Sequence, residues 1–399
     1  MTTTAHPRAG ARVGATYSVL KSSVGEETLE QERKRLTLQP RTSFGKPPPP
    51  FSVYFEDKHT FHVPRFYGLE RFGTPEVDER ADGEPAPNLT FTGTLTDVQM
   101  AAMDAVHSKH MHAGGVQGTK VILPCGKGKT VFAVALAARH KRRVCVVVHK
   151  AVIREQWKEK FEAFSPGVRV GMIQGRVWDV EGCDVVIAMV MTLAKRDLDP
   201  SVFDAFGLVI VDEAHHMAAP VMSRAMRCFR SRLILGLTAT KDRPDGLTPL
   251  LDWSLGPDGF QAERDASESV RVSIALYEGG TREIITRAGR PLVAVMLNNL
   301  AVNHRRNLFI AQRIVALRSV GRVIMVLSDR IAQLFALRDL VLRVGGYDAQ
   351  EVGVFKGGQS DEERRVQLAR PIVMCSYGMA NEGVDKTEAD TCIMATPKG

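Results

Sequence analysis

An α/β architecture of two tandem parallel-sheet domains, the second one incomplete, behind a small N-terminal β-rich module, follows from three observations. Between Leu95 and Leu255, short continuous apolar runs at 121–123, 144–148, 184–188, 208–211 and 233–237 alternate with amphipathic stretches at 97–107, 129–140 and 151–164. Runs that are apolar on both faces suit strands of a parallel sheet covered by helices on either side. After a more polar connector (256–290) the alternation resumes, with strands expected at 323–327, 351–355, 372–375 and 392–395 and helices near 299–318, 330–343 and 361–369. Finally, the chemically distinctive residues stand at the carboxyl ends of these runs, where open α/β sheets collect their ligands.

In chain order, four segments are expected. Residues 1–45 are poor in aromatics and read as a mostly disordered tail, with a charge-dense stretch from Glu26 to Arg35 and a short helix or strand before the stiff Pro47–Pro50 run. Residues 46–88 form a small module and a linker. Its runs Phe51–Glu56 and Thr60–Tyr67 alternate like strands, Arg65, Phe66 and Tyr67 read as packing ahead of stacking on nucleic acid, and Asp82–Asn88, with Gly83 and two prolines, reads as linker. Residues 89–258 form the first α/β domain, and 259–399 the connector and the partial second one.

Bulk composition narrows the function classes. A chain of 399 residues with 44% hydrophobic and 25% charged content is an ordinary globular protein with room for two or three cores. The net charge of +8 suits a polyanionic partner without requiring one. Cysteines 125, 145, 183, 228, 375 and 392 form no Cys-x-x-Cys pair, so a structural zinc site is not expected and they read as reduced core residues. No run of about 18 apolar residues and no N-terminal signal core is present, so the expectation is a soluble, intracellular chain without a membrane span.

Three segments carry the chemistry. Val121-Ile-Leu-Pro-Cys-Gly-Lys-Gly-Lys-Thr130 reads as strand, loop and helix start, a phosphate cradle. Pro124, Cys125, Gly126, Lys127 and Gly128 make the loop, Lys129 reaches β- and γ-phosphates, and the Thr130 hydroxyl ligates Mg²⁺. The strict pattern asks for glycine at 123, where this chain has Leu123. Leu208-Val-Ile-Val-Asp-Glu-Ala-His215 places Asp212 and Glu213 at a strand end, the first to hold Mg²⁺ through its hydration shell and the second to polarise the attacking water. His215 links this site to its surroundings, and His216 is structural. In Leu233-Ile-Leu-Gly-Leu-Thr-Ala-Thr240, Thr238 and Thr240 are expected to hydrogen-bond to the Asp-Glu-Ala-His segment and sense the γ-phosphate.

Gly-Lys-Thr, Asp-Glu-Ala-His and Thr-Ala-Thr in this order and spacing resemble the superfamily 2 helicases and translocases. The Arg243-Pro-Asp-Gly246 that follows resembles the branch with XPB-type repair and transcription helicases and poxvirus-type transcript-release helicases, and the Val-Pro-Arg-Phe-Tyr-Gly lead-in points toward members from large DNA viruses. The resemblance implies two RecA-like domains that hydrolyse ATP in the cleft between them, with Mg²⁺. It implies that Gln99 recognises adenine, that Asp385 joins the nucleotide site, and that Glu382 and Gly383 couple nucleotide state to grip. Contacts to the nucleic acid backbone fall on His149, Lys150, Thr192, Arg243, Ser328, Arg330 and Gly357; for Trp157, near the first pair, strand contact and core packing stand equally open. The implied partner is nucleic acid without sequence specificity, DNA ahead of RNA, in the service of transcription or repair machinery. An RNA helicase, or an ATP-binding adaptor that does not unwind, is the alternative. Lys241 stands where the family has proline. The family's arginine motif would follow about ten residues after Thr396-Pro397, and weak hydrolysis is expected of a chain without it.

Overall fold

The computed structural model describes residues 8–41, 47–110, 117–124, 126–196, 198–216, 219–243, 245–263, 270–279, 283–286, 289, 291–380, 386 and 388–397. The chain divides into two compact units, Met1–Glu268 and Ser269–Gly399.

From Arg8 onward the first unit holds regular structure where a disordered tail was expected. Strands β1 (Arg8–Val13) and β2 (Thr16–Leu20) form a hairpin, followed by helices α1 (Lys21–Val24) and α2 (Glu26–Arg35) and a short pair, β3 (Thr37–Leu38) with β4 (Phe51–Ser52). Next come β5 (Phe55–Glu56), β6 (Thr60–Pro64), α3 (Arg65–Phe72) and β7 (Pro75–Asp78). Among the described residues these strands make a five-stranded sheet in the order β5-β6-β2-β1-β7. The reason is non-local. Val13, Tyr17 and Val19 are buried, and the antiparallel partner of Tyr17 is Val63, 46 positions along the chain, which local composition does not reveal. The alternating run also ends early: Pro64 closes β6, and Arg65–Tyr67 open a helix instead of extending a strand.

The segment read as a linker is bound along its length. Ala81 N–H donates to the Arg230 carbonyl and Ala86 N–H to that of Lys141, and the Arg232 guanidinium bonds Asp82. Arg65, 2% exposed, donates to the carbonyls of Phe229 and Ser231, both at 2.7 Å. Burial pushes its pKa down to about 9, with the charge of Arg80 adding to the effect.

The main sheet follows from α4 (Asp97–Lys109), β8 (Gly118–Ile122), α5 (Lys129–His140), β9 (Val144–Val148), α6 (Ala151–Phe164), β10 (Val170–Gln174), β11 (Val177–Asp179), β12 (Val185–Met189), α7 (Val190–Ala194), β13 (Leu208–Val211), α8 (Ala219–Met226), β14 (Leu233–Thr238), α9 (Thr248–Leu255) and β15 (Asp258–Gln261). Among the described residues eight strands run β11-β10-β12-β9-β13-β14-β8-β15, parallel except for the β10–β11 hairpin. Alternate residues of each strand feed opposite cores. Val144, Val146, Leu208 and Ile210 pack with Phe132, Trp157 and Phe161, while Cys145, Val147, Val209 and Val211 share a core with Tyr17, Phe61 and Phe66 of the N-terminal sheet. Three strands escape the apolar-run reading: β10, which alternates buried and half-buried residues, and the edge strands β11 and β15, at positions that tolerate polar residues such as Asp258 and Gln261. β15 carries the first sheet past residue 258, into the expected connector. There Asp258 answers Lys120 at 2.7 Å and Lys241 at 3.3 Å, the position where the resembled family has proline.

The second unit contains α10 (Val293–Val302), α11 (His304–Arg318), β16 (Ile324–Ser328), α12 (Ile331–Gly345), β17 (Val352–Phe355), α13 (Asp361–Leu368), β18 (Ile372–Ser376), α14 (Tyr377–Ala380) and β19 (Thr391–Met394). Its described strands are all parallel, in the order β17-β18-β16-β19. One helix was expected over 299–318; the chain breaks it at Asn303, whose side chain caps α11 by accepting from Arg306 N–H at 3.0 Å. Among the described residues no helix is long and apolar enough to cross a membrane.

A pH signature comes from His140, half-buried at the end of α5 with its ring 5.8 Å from that of His107. Burial, then the charges of His107 and Arg139, push its pKa from 6.5 down to about 4. The folded protein thus resists a proton that the unfolded chain accepts, so this contribution is present above pH 6.5 and lost as pH falls toward 4. Urea unfolding across that window should show a loss on the order of 2 kcal/mol that His140→Gln removes; an unchanged pH dependence in the variant would contradict the assignment.

Candidate nucleotide and nucleic acid site

β8 lies between β14 and β15, and the loop leaving its carboxyl end runs straight into α5. Gly126 (φ +80°) and Gly128 (φ +71°) both adopt left-handed backbone, which alternates N–H directions and forms an anion-binding concavity at the start of the helix. Open space surrounds a Cβ built on Gly126, whereas one on Gly128 would come within 2.2 Å of Gln99 Nε2. Cys125, expected in this loop, lies outside the described residues. Pro124 accepts the Lys127 N–H, and Thr130 follows Lys129 in the first turn of α5.

Gln99 does not stand as the resemblance implies. It is 4% exposed, its Oε1 accepts from Thr96 N–H at 2.9 Å, and its Nε2 donates to the carbonyls of Lys127 (3.2 Å) and Gly128 (3.1 Å). It closes a capping box on α4 and braces the back of the loop through both ends of its amide.

β13 delivers the carboxylates. Asp212 is 6% exposed; its Oδ2 accepts from the indole N–H of Trp157 at 2.7 Å and its Oδ1 from Glu213 N–H at 2.9 Å. Burial, then the charge of Glu213, raises its pKa to about 6, while Trp157, Lys129 and the Glu213 amide act in the opposite direction. Glu213 sits at φ +46°, a strained conformation for a non-glycine residue. Its Oε1 lies 3.4 Å from Lys129 Nζ, and among the described residues its buried Oε2 has no hydrogen-bond donor, the His215 ring nitrogen being 3.4 Å away. Two left-handed glycines, a lysine, a hydroxyl residue at the helix start and a buried carboxylate pair with one unsatisfied oxygen fit a triphosphate with a divalent cation.

The neighbouring motifs are knitted to this centre. Thr238, buried at the end of β14, pairs its hydroxyl with His215 Nδ1 at 2.8 Å and donates to the Thr240 carbonyl. Thr240 contributes that carbonyl, and its side chain is exposed, so only Thr238 makes the expected side-chain link. Arg243 corrects the expectation that it faces nucleic acid. Its almost fully buried guanidinium donates to the His215 carbonyl at 2.9 Å and forks onto Asp245.

Other expected strand contacts divide. His149 and Lys150 stand half-buried at the end of β9. Thr192 is 9% exposed and its hydroxyl accepts from Gly175 N–H at 3.0 Å, holding the β10–β11 turn. Ser328 is fully buried, donates to Gln333 Oε1 at 2.7 Å and accepts from Arg330 N–H. Both hydroxyls therefore serve the fold. Gly357 is exposed, and Arg330 is half-buried, its guanidinium laid against Asn298 and the Ala294 carbonyl. Glu382, Gly383 and Asp385 lie outside the described residues. Trp157, with two readings open, is core: 1% exposed between Ile153 and Phe161 on one helical stripe. Its bond to Asp212 could not be read from that spacing.

The crowding of Gly128 against Gln99 is testable. Gly128→Ala should cost about 1–2 kcal/mol from the left-handed backbone alone, plus the displacement of Gln99. In a Gln99→Ala background the second part should vanish, a coupling of about 1 kcal/mol by urea unfolding; strict additivity would remove Gln99 as the brace.

Comparison with known proteins agrees with this geometry. The family model for the type III restriction enzyme res subunit matches residues 92–243. A protein of Acanthamoeba polyphaga mimivirus, L396, assigned as an ATP-dependent RNA helicase, is 31% identical over 394 residues, covering 96% of this chain and 75% of the relative. QP509L of African swine fever virus (strain Badajoz 1971 Vero-adapted), assigned likewise, is 25% identical over 432 residues, 97% of this chain and 81% of its own. In fold, the chain is similar to the Mycobacterium smegmatis helicase Lhr, solved with ssDNA and AMP-PNP, at a TM-score of 0.53 and 16% identity over 75% of this chain and 42% of that one. With a relative matched along nearly its whole length and the phosphate loop, Asp212-Glu213 and Thr238 in one site, this chain belongs to the ATP-dependent superfamily 2 helicases and translocases, in company with proteins of large DNA viruses.

Proposed function

We propose that this protein couples hydrolysis of ATP, with Mg²⁺, to movement along a single nucleic acid strand gripped by its backbone. The observation that carries the reading is Lys129 Nζ 3.4 Å from Glu213 Oε1, beside buried Asp212, at the mouth of a left-handed glycine loop. Thr130 and Asp212 are the residues that would hold Mg²⁺, whose charge offsets that of the phosphates when bound. The loop N–H groups and Lys129 bind phosphate oxygens, and Glu213 orients a water through Oε2 and accepts its proton. The Thr238–His215 contact passes the state of this site to its neighbours.

His149, Lys150, Arg330 and Gly357 make the grip. Contacts of this kind neutralise phosphates and donate N–H groups, so they read no sequence. Single-stranded DNA is the preferred substrate in this reading. RNA is the second, favoured by the RNA-helicase assignments of the two viral relatives.

ATP turnover with and without single-stranded DNA or RNA tests this. Nucleic acid should stimulate the wild type, and Lys129→Ala or Glu213→Gln should lower the rate by roughly 10²–10⁴. Affinity for a labelled strand should fall with rising salt, log K against log salt having a slope near −0.7 for each phosphate neutralised. Turnover that survives Glu213→Gln, or binding indifferent to salt, would overturn the reading; a larger stimulation by RNA would select the second substrate.

A further inference from the structure

We propose that Trp157 is a positioning residue for the metal-binding carboxylate, and that its indole N–H ties the strand-contact loop at His149–Lys150 to the nucleotide site. This rests on the function proposed above. Three observations support it.

Trp157 sits on α6, the helix that starts directly after Lys150, so one rigid element joins the His149–Lys150 loop to Asp212. Its ring is 1% exposed, lies 5.8 Å from that of Phe161 and belongs to the buried cluster that holds Ile153, Val146, Val148 and Ile210, so it has little freedom to move independently of α6. Its N–H reaches Asp212 Oδ2 at 2.7 Å while the Glu213 amide takes Oδ1 at 2.9 Å, so each carboxylate oxygen has one fixed donor. Rotation of the carboxylate would break at least one of these bonds in a buried site, where an unmade hydrogen bond is costly. A partner of this kind sets the direction of a metal ligand's remaining lone pairs, and removing it weakens metal binding by about 10–100-fold. It also supplies a mechanical route. A strand that pulls on the His149–Lys150 loop tilts α6, and the tilt is felt at Asp212 through this one bond.

Trp157→Phe keeps the ring in its slot and removes the N–H. The measurement is thermal stabilisation of the full chain by ADP as Mg²⁺ is titrated. The half-saturating Mg²⁺ concentration should rise about tenfold in Trp157→Phe, stabilisation by ADP in EDTA should stay at the wild-type value, and the variant should add nothing in an Asp212→Asn background. A wild-type Mg²⁺ midpoint in Trp157→Phe would overturn the inference and leave the proposed function standing. No stabilisation of the wild type by Mg²⁺ with ADP would overturn the function itself. If Trp157→Phe fails to fold, the ¹⁵N-indole spectrum of the wild type decides, with signals assigned by Trp178→Phe and Trp253→Phe. The Trp157 signal should move when Mg²⁺ is added to the ADP complex, and a stationary signal rejects the proposal.

Discussion

The end of β13 is the constraint on which the rest of the structure depends. Four residues, buried on both faces, are locked in register between β9 and β14, with Val211 opposite both Val147 and Gly236. The next two residues are carboxylates at the rim of a dry sheet, a position that is unfavourable unless charge and donors meet them there. Lys129, from the loop leaving β8, supplies the charge; Trp157 and a backbone amide supply the donors. A slip of one residue would bury Asp212 in the sheet and turn Glu213 away from the lysine, since successive strand residues face opposite sides. The site is thus a consequence of strand register before it is a consequence of any one side chain.

Around that point the molecule spends polar groups on rigidity. Glu213 is held in a strained left-handed conformation by the turn that its own amide makes with Asp212. His215 is fixed from two directions, its ring by Thr238 and its carbonyl by Arg243. Gln99 plays the same part behind the phosphate loop. Several residues that in isolation look like ligand contacts are therefore part of the frame around the phosphate loop and the carboxylate pair, which is what electrostatic preorganisation requires.

The N-terminal sheet belongs to this frame. Five short strands cannot bury enough surface to stand alone, and its buried residues merge with one face of the main sheet through Tyr17, Phe61 and Phe66. Arg65, with its two carbonyl partners on the chain entering β14, pins the module beneath the Thr238 strand. The module is continuous with the nucleotide-binding core.

By itself the amino-acid sequence determined the parallel-sheet class, nearly every central strand, and the placing of Lys129, Thr130, Asp212 and Glu213 just beyond the ends of two of those strands. These are properties of local spacing: apolar runs of strand length, glycines where left-handed backbone is required, carboxylates at run ends. Only the tertiary structure decided what depends on partners distant in the chain. Residues 16–20 are a strand because Phe61 and Val63 pair with them, and residues 8–13 because β2 and β7 flank them. Gln99 turns to the loop because α4 caps in that direction. Arg243, Thr192 and Ser328 turn inward because acceptors and donors wait for them there, and Trp157 touches Asp212 because α6 packs over β9, the strand beside β13. A side chain's type limits the bonds it can make; which of them it makes is set by what the fold brings within 3 Å, through contacts that sequence spacing does not encode.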